Sequence, residues 1–334
     1  MNRKRMGQFS IVAIAACAML VRVGMASAAI NITTVSVGNP GNAADGNGYG
    51  AVDYKYNIGK YDVTASQYAT FLNAVAKTDT NTLYNPFMVR TDYGSGITQN
   101  GSDGNYTYSV NAAFVNRPVN NVSYWSTARF SNWLENGQPN GVQGAGTTET
   151  GTYTLTTASI ANNTVSRNAG STWSLPSEDE WYKAAYYKGG NIFADYWLYA
   201  TQSDTTPGRS LSDSSGNNAN FYNGSGTYPI DSGHKSTVVG QFANSPGAYG
   251  TFDQNGNVFQ WNESIINGGS RGVRGGSFDD SSSLMQSGAR GDYDPTTEFG
   301  FIGFRVVSQI PEPTSMAVVA LGVMVIGMRR RVVK

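Results

Sequence analysis

Cys17 is the only cysteine among the 334 residues of this chain, and it lies in a leader. Arg3-Lys4-Arg5, the apolar run from Phe9 to Val21 and Ala26-Ser27-Ala28 form the three regions of a secretory signal peptide, assigned to residues 1–29. Cleavage after Ala28 or Ala29 removes Cys17 and leaves an exported body with no thiol. Ile14-Ala15-Ala16-Cys17 also fits a lipoprotein box, in which Cys17 would carry lipid. Either way the chain leaves the cytosol. The consequence for folding is severe. Gly and Asn punctuate the whole body, and long irregular stretches in a compact domain usually need disulfides or metal to hold them. With thiols gone, metal is the better candidate, and aromatic packing alone is the alternative.

The other end is also an address. Pro311-Glu312-Pro313 precedes a short apolar stretch from Ser315 to Met328 and then Arg329-Arg330-Arg331. Spanning a bilayer takes about 20 apolar residues, so this stretch is marginal, and its arginines favour the cytoplasmic side. The order of parts in 311–334 resembles the PEP-CTERM sorting tail of Gram-negative bacteria. That resemblance implies passage across the inner membrane and processing by an exosortase-type enzyme near Pro311, Glu312 and Pro313. The product would be released or attached at the cell surface or in the extracellular matrix. An ordinary tail anchor is the other reading. Membrane contact is expected only through this tail, before processing.

The ends also hide the charge. The whole chain is neutral, with 23 basic and 23 acidic residues. Leader and tail hold eight of the cations, which leaves 15, and removal of Glu312 leaves 22 anions, so the body is net −7. An acidic, Tyr- and Asn-rich surface excludes nucleic acid, which requires a basic face.

Residues 30–310 read as one domain, without linker, charge block or internal repeat. Tyr68, Phe71, Leu72 and Val75 line one face of a helix predicted over Ala65 to Ala76. Val122-Ser123 opens a second over Tyr124 to Leu134, with Ala128, Trp133 and Leu134 inside. Ser177 and Glu180 are spaced as a capping box for a third that runs through Trp181 to Tyr187. Tyr106 to Val110 and Tyr153 to Thr157 are β-prone.

Six segments in order carry a further resemblance. They are Ile58-Gly59-Lys60-Tyr61-Asp62-Val63-Thr64, Pro118-Val119-Asn120-Asn121-Val122-Ser123-Tyr124, Leu175-Pro176-Ser177-Glu178-Asp179-Glu180-Trp181, Gly256-Asn257-Val258-Phe259-Gln260-Trp261, Arg274-Gly275-Gly276-Ser277-Phe278 and Gly303-Phe304-Arg305. Together they resemble the formylglycine-generating enzyme family, the sulfatase-modifying factor domains. The resemblance implies an α+β, C-type-lectin-like fold with little regular secondary structure. It also implies an oxidase of substrate cysteine that uses copper held by two thiolates, and soft monovalent copper requires such ligands. On a gapless count those two cysteine positions hold Asp280 and Met285. No copper is therefore expected. Family members that use iron require several histidines, and His234 is the only one here, so iron is not expected either.

The resemblance implies two calcium sites. The first would use the Asn220 side chain, the Phe221 carbonyl, the Asp231 side chain and the Gly233 carbonyl. The second would use the Asp253 side chain, the Gly256 and Val258 carbonyls and the Gln260 side chain. Such mixed oxygen donors suit calcium. The family usually has glutamate at position 260, so the neutral Gln260 is expected to weaken the second site. Asp279, Asp280, Ser281, Arg290 and Asp292, in the loop that would carry the catalytic cysteines, could line a ligand pocket or form a solvated acidic loop. A Ser-His-Asp triad would need His234, which has no recognisable nucleophile beside it. The expected function is a secreted, surface-sorted binding or matrix protein for an extracellular polysaccharide or protein, without catalysis. A divergent family enzyme working through the Asp279 to Glu298 loop is the alternative.

Overall fold

The computed structural model of the protein describes residues 29–310, except 194, 225–229 and 232. The leader with Cys17 and the tail with Pro311, Glu312 and Pro313 lie outside the described residues. In chain order the elements begin with β1 (Thr34–Val37), β2 (Tyr56–Gly59), α1 (Ala65–Val75), β3 (Ile97–Asn100) and β4 (Thr107–Val110). Then come α2 (Tyr124–Glu135), α3 (Thr157–Ala161), β5 (Trp173–Ser174) and α4 (Glu178–Tyr186). The last third holds β6 (Phe259–Ile266), β7 (Ser270–Arg274), β8 (Gly291–Tyr293), β9 (Ile302–Gly303) and β10 (Val307–Gln309). Most of the chain between them is turn and loop, and the class is α+β as expected.

The helix signals hold because each start has its cap. Thr64 and Gln67 form a reciprocal capping box on α1, Ser123 caps α2, and Ser177 with Glu180 boxes α4. Tyr68, Phe71, Leu72 and Val75 of α1 are all buried. In α2, burial extends well beyond Ala128, Trp133 and Leu134, to every residue from Tyr124 to Leu134. Its polar members are satisfied inside the protein: Asn132 Nδ2 donates to the Thr148 and Tyr153 carbonyls, and Arg129 pairs with Glu149 at 2.7 Å. The β-prone run from Tyr153 to Thr157 does not form a strand. Tyr153 makes one isolated bridge to Arg167, and Thr156 with Ser159 boxes the start of α3. A local cap outweighs β-propensity there.

Three sheets organise the loops. The first has the order β1-β2-β10-β5, in which Val307 of β10 lies between Ile58 of β2 and Ser174 of β5. The two ends of the domain are thereby stitched into one sheet. The hairpin β3–β4 packs on α1. The third sheet has the order β8-β7-β6-β9, with β9 parallel to β6.

The main core lies between α1, α2 and the third sheet, and it is aromatic. Phe71 meets Phe130 and Trp133 at 5.4 and 5.3 Å between ring centroids, and Phe130 meets Phe304 at 5.2 Å. Trp261 is fully buried and donates its indole N–H to the Val122 carbonyl at 3.0 Å, tying β6 to the start of α2. Trp261→Ala is expected to cost about 3–5 kcal/mol through the cavity it leaves. Trp261→Phe keeps most of the apolar area but strands the Val122 carbonyl, at about 1–3 kcal/mol. Urea midpoints of the two variants should fall in that order below the wild type.

Candidate functional site

Four of the six sequence motifs meet at one buried amide. Gln260 Oε1, on β6, accepts from Trp181 Nε1 of α4 at 2.6 Å and from Arg305 Nε at 2.5 Å. Gln260 Nε2 donates to the Asp253 carbonyl at 2.7 Å. Arg305 donates onward to the Gly59 carbonyl at 2.8 Å, the Phe252 carbonyl at 2.7 Å and Asp62 Oδ1 at 3.2 Å. Trp181, Gln260, Arg305 and Asp62 are all buried. Asp253 keeps some exposed surface, but burial of its carboxyl pushes it up to about 6, against the pull of the Gly240 N–H and of Arg305. Its Oδ2 accepts that Gly240 N–H at 2.6 Å. Sequence reasoning chose Asp253 and Gln260 but missed Trp181, Arg305 and Asp62 as their partners. The available signal was chemical, since an indole and a guanidinium in a core both require acceptors.

The residues expected for the first calcium site converge in part. Asn220 is buried, and its Oδ1 has no hydrogen-bond partner among the described residues. Its Nδ2 donates to the Lys235 carbonyl at 2.8 Å, which draws that part of the chain alongside. Nearby, the His234 N–H meets the Asp231 carbonyl, and Gly233 takes a φ of +86°. Asp231 itself is paired with Arg117. Asn220 also bridges Gly256, so the two expected sites share a backbone contact. A side chain at Gly256 (φ +74°) would come within 2.1 Å of the Asn220 carbonyl oxygen, and only glycine fits. A buried oxygen without a donor is what a cation ligand leaves when no cation is present, so Asn220 fits calcium.

At the two positions expected to hold thiolates, Asp280 and Met285 serve the scaffold. Asp280 Oδ2 accepts the Ser277 hydroxyl, its carbonyl accepts the Tyr222 N–H at 2.8 Å, and burial raises its carboxyl above the usual range. Met285 is fully buried and packs with Tyr199, Ala219 and Phe221. Its carbonyl accepts from Tyr186 Oη at 2.9 Å and Asn255 Nδ2 at 2.8 Å.

The rest of that loop divides. Asp279 is exposed and pairs with Lys235 at 3.2 Å. Arg290 turns to Glu178 at 3.0 Å, where Arg274 also binds. Asp292 is exposed on β8, opposite Gly272. Ser281 borders an open groove of about 520 Å³, whose wall includes Arg209, Phe221, Tyr222 and Asn223. Aromatic faces beside amide and hydroxyl groups suit a sugar or an extended peptide. His234 meets Phe114 edge to face at 4.9 Å between centroids, and its Nδ1 meets no partner among the described residues, so no triad forms there.

Comparison with known proteins supports the same outline. The family described as sulfatase-modifying factor enzyme 1-like domain matches residues 39–310, and the PEP-CTERM protein-sorting motif matches residues 309–331. Among solved structures the chain is similar to CarF, at 21% identity and a TM-score of 0.53, over 84% of this chain and 99% of that one. It is also similar to Treponema denticola variable protein 1, at 18% identity and 0.47, over 85% and 98%. A third is PvdO from Pseudomonas aeruginosa, at 17% identity and 0.44, over 83% and 92%. The likeness to CarF supports the C-type-lectin-like architecture. No curated protein matches the chain.

The raised carboxyl of Asp253 gives a pH signature. A carboxyl whose folded-state value lies above its unfolded one contributes stability below about pH 4 that is lost as pH rises through about 6. Asp253→Asn keeps an acceptor for the Gly240 N–H and lacks that loss. In chelator, the stability of Asp253→Asn relative to wild type should therefore improve between pH 4.5 and pH 7, as read from urea midpoints.

Proposed function

This chain belongs to the sulfatase-modifying factor enzyme 1-like family, and on that basis we propose that it is an exported, surface-sorted binding or matrix protein that lacks the family's oxidase chemistry. The observation that carries the proposal is the state of positions 280 and 285. A hard carboxylate and a thioether packed into an aromatic cluster stand where a pair of soft thiolates would be needed for monovalent copper. The PEP-CTERM motif directs the chain to the cell envelope of a Gram-negative bacterium and implies processing by an exosortase-type enzyme.

Calcium is the proposed brace of the loops. The Asn220 side chain and the Phe221 carbonyl, with Asp231 and Gly233 alongside, would hold it; bound there it supplies charge and geometry, and no redox step. Phe221 also lines the groove next to Ser281, so a brace at Asn220 would fix one wall of it. The proposed ligand of that groove is an extracellular polysaccharide or protein. An acidic body with aromatic residues along an open groove supports this class.

Two measurements test the reading. The full chain, supplied with copper and oxygen, should leave the thiol of a cysteine-containing sulfatase peptide unchanged by mass spectrometry, and it should bind exopolysaccharide or surface protein in a manner weakened by chelator. Conversion of that cysteine to an aldehyde, with stoichiometric copper bound, would overturn it in favour of an altered enzyme.

A further inference from the structure

We infer that Arg305 and the Gln260 amide take the place of a metal ion at the position of the expected second calcium site, so that Asp253 and Gln260 hold no calcium. The inference goes beyond the proposed function and needs no calcium at Asn220.

The geometry leaves Gln260 no freedom to act as a ligand. A side-chain amide has one acceptor atom and one donor group. The acceptor, Oε1, is engaged by two donors, Trp181 Nε1 and Arg305 Nε. The donor, Nε2, points at the Asp253 carbonyl. Rotating the amide by half a turn would put its NH₂ against two N–H groups and its oxygen against a carbonyl, three unfavourable contacts at once. The orientation is therefore fixed by its neighbours. On the Asp253 side Gln260 presents N–H, which repels a cation.

Charge leads to the same conclusion. The cluster holds two carboxylates, Asp62 and Asp253, and one guanidinium, which already donates to Asp62 and to three carbonyl or amide oxygens. A divalent ion placed beside that buried guanidinium would meet strong repulsion at low dielectric. A third carboxylate would change the balance. Gln260→Glu would still accept from Trp181 and Arg305 through one oxygen and would turn the other toward Asp253, where a hard cation could then sit.

The test is the number of calcium ions bound by the full chain after chelation and dialysis, measured by titration calorimetry. Asp253→Asn should bind the same number as wild type, and Gln260→Glu should bind one more. An Asp253→Asn protein that binds one fewer calcium overturns the inference, as does a folded Gln260→Glu protein with an unchanged count. Wild type that binds none, with Gln260→Glu binding one, removes the Asn220 site from the proposed function and upholds the inference. If Gln260→Glu does not fold, the comparison of Asp253→Asn with wild type decides alone.

Discussion

Arg305 is a cation with almost no exposed surface, and its hydrogen bonds reach three parts of the chain: Gly59 with Asp62, Phe252, and Gln260. Through Gln260 it also reaches Trp181 on α4. A buried guanidinium without partners costs several kcal/mol, on the order of 3–5 when a pair is broken. Each segment must therefore be in place before the charge is tolerated. In a body without disulfides, one residue thus supplies a constraint on loops that are far apart in sequence. Arg271 and Arg274 act in the same way on a smaller scale. Arg271 lies over the Tyr124 ring at 4.2 Å and binds the Val165 and Glu263 carbonyls, and Arg274 ties β7 to Glu178 at the start of α4.

This arrangement separates scaffold from chemistry. The residues that make the chain recognisable, Asp62, Trp181, Gln260, Trp261, Arg274 and Arg305, are all buried, and Asp62, Trp181, Gln260 and Arg305 are linked by hydrogen bonds. Asp280 and Met285 are engaged in a local hydroxyl bond and in packing. No thiol is needed to hold these contacts, and the groove at Phe221, Tyr222 and Ser281 lies beside them. Function lives in sites carried by folds, so the family's fold does not by itself fix what this chain does.

How much of this was legible depended on range. Helix starts could be read because Thr64, Ser123 and Ser177 act on residues three positions away. The Tyr153 to Thr157 run was misjudged because the Thr156 cap, also local, competes with a propensity. The candidate loop was legible as acidic and polar, but its division was not: Arg290 is drawn to Glu178, more than a hundred residues earlier, and no spacing rule contains that pairing. Gln260 was recognised as a departure from glutamate. Its consequence stayed hidden because it depends on which neighbours surround the amide, and Trp181 and Arg305 arrive through tertiary structure.

The most direct measurement is the stability of Arg305→Lys. Lysine keeps the charge but carries one donor centre, which cannot serve Gln260, Gly59, Phe252 and Asp62 together. Chemical denaturation should show a loss of about 3–5 kcal/mol, while Arg90→Lys, whose pair with Asp92 lies at the surface, should leave the stability nearly unchanged. An Arg305→Lys protein as stable as the wild type would contradict the claim that this guanidinium holds the domain together.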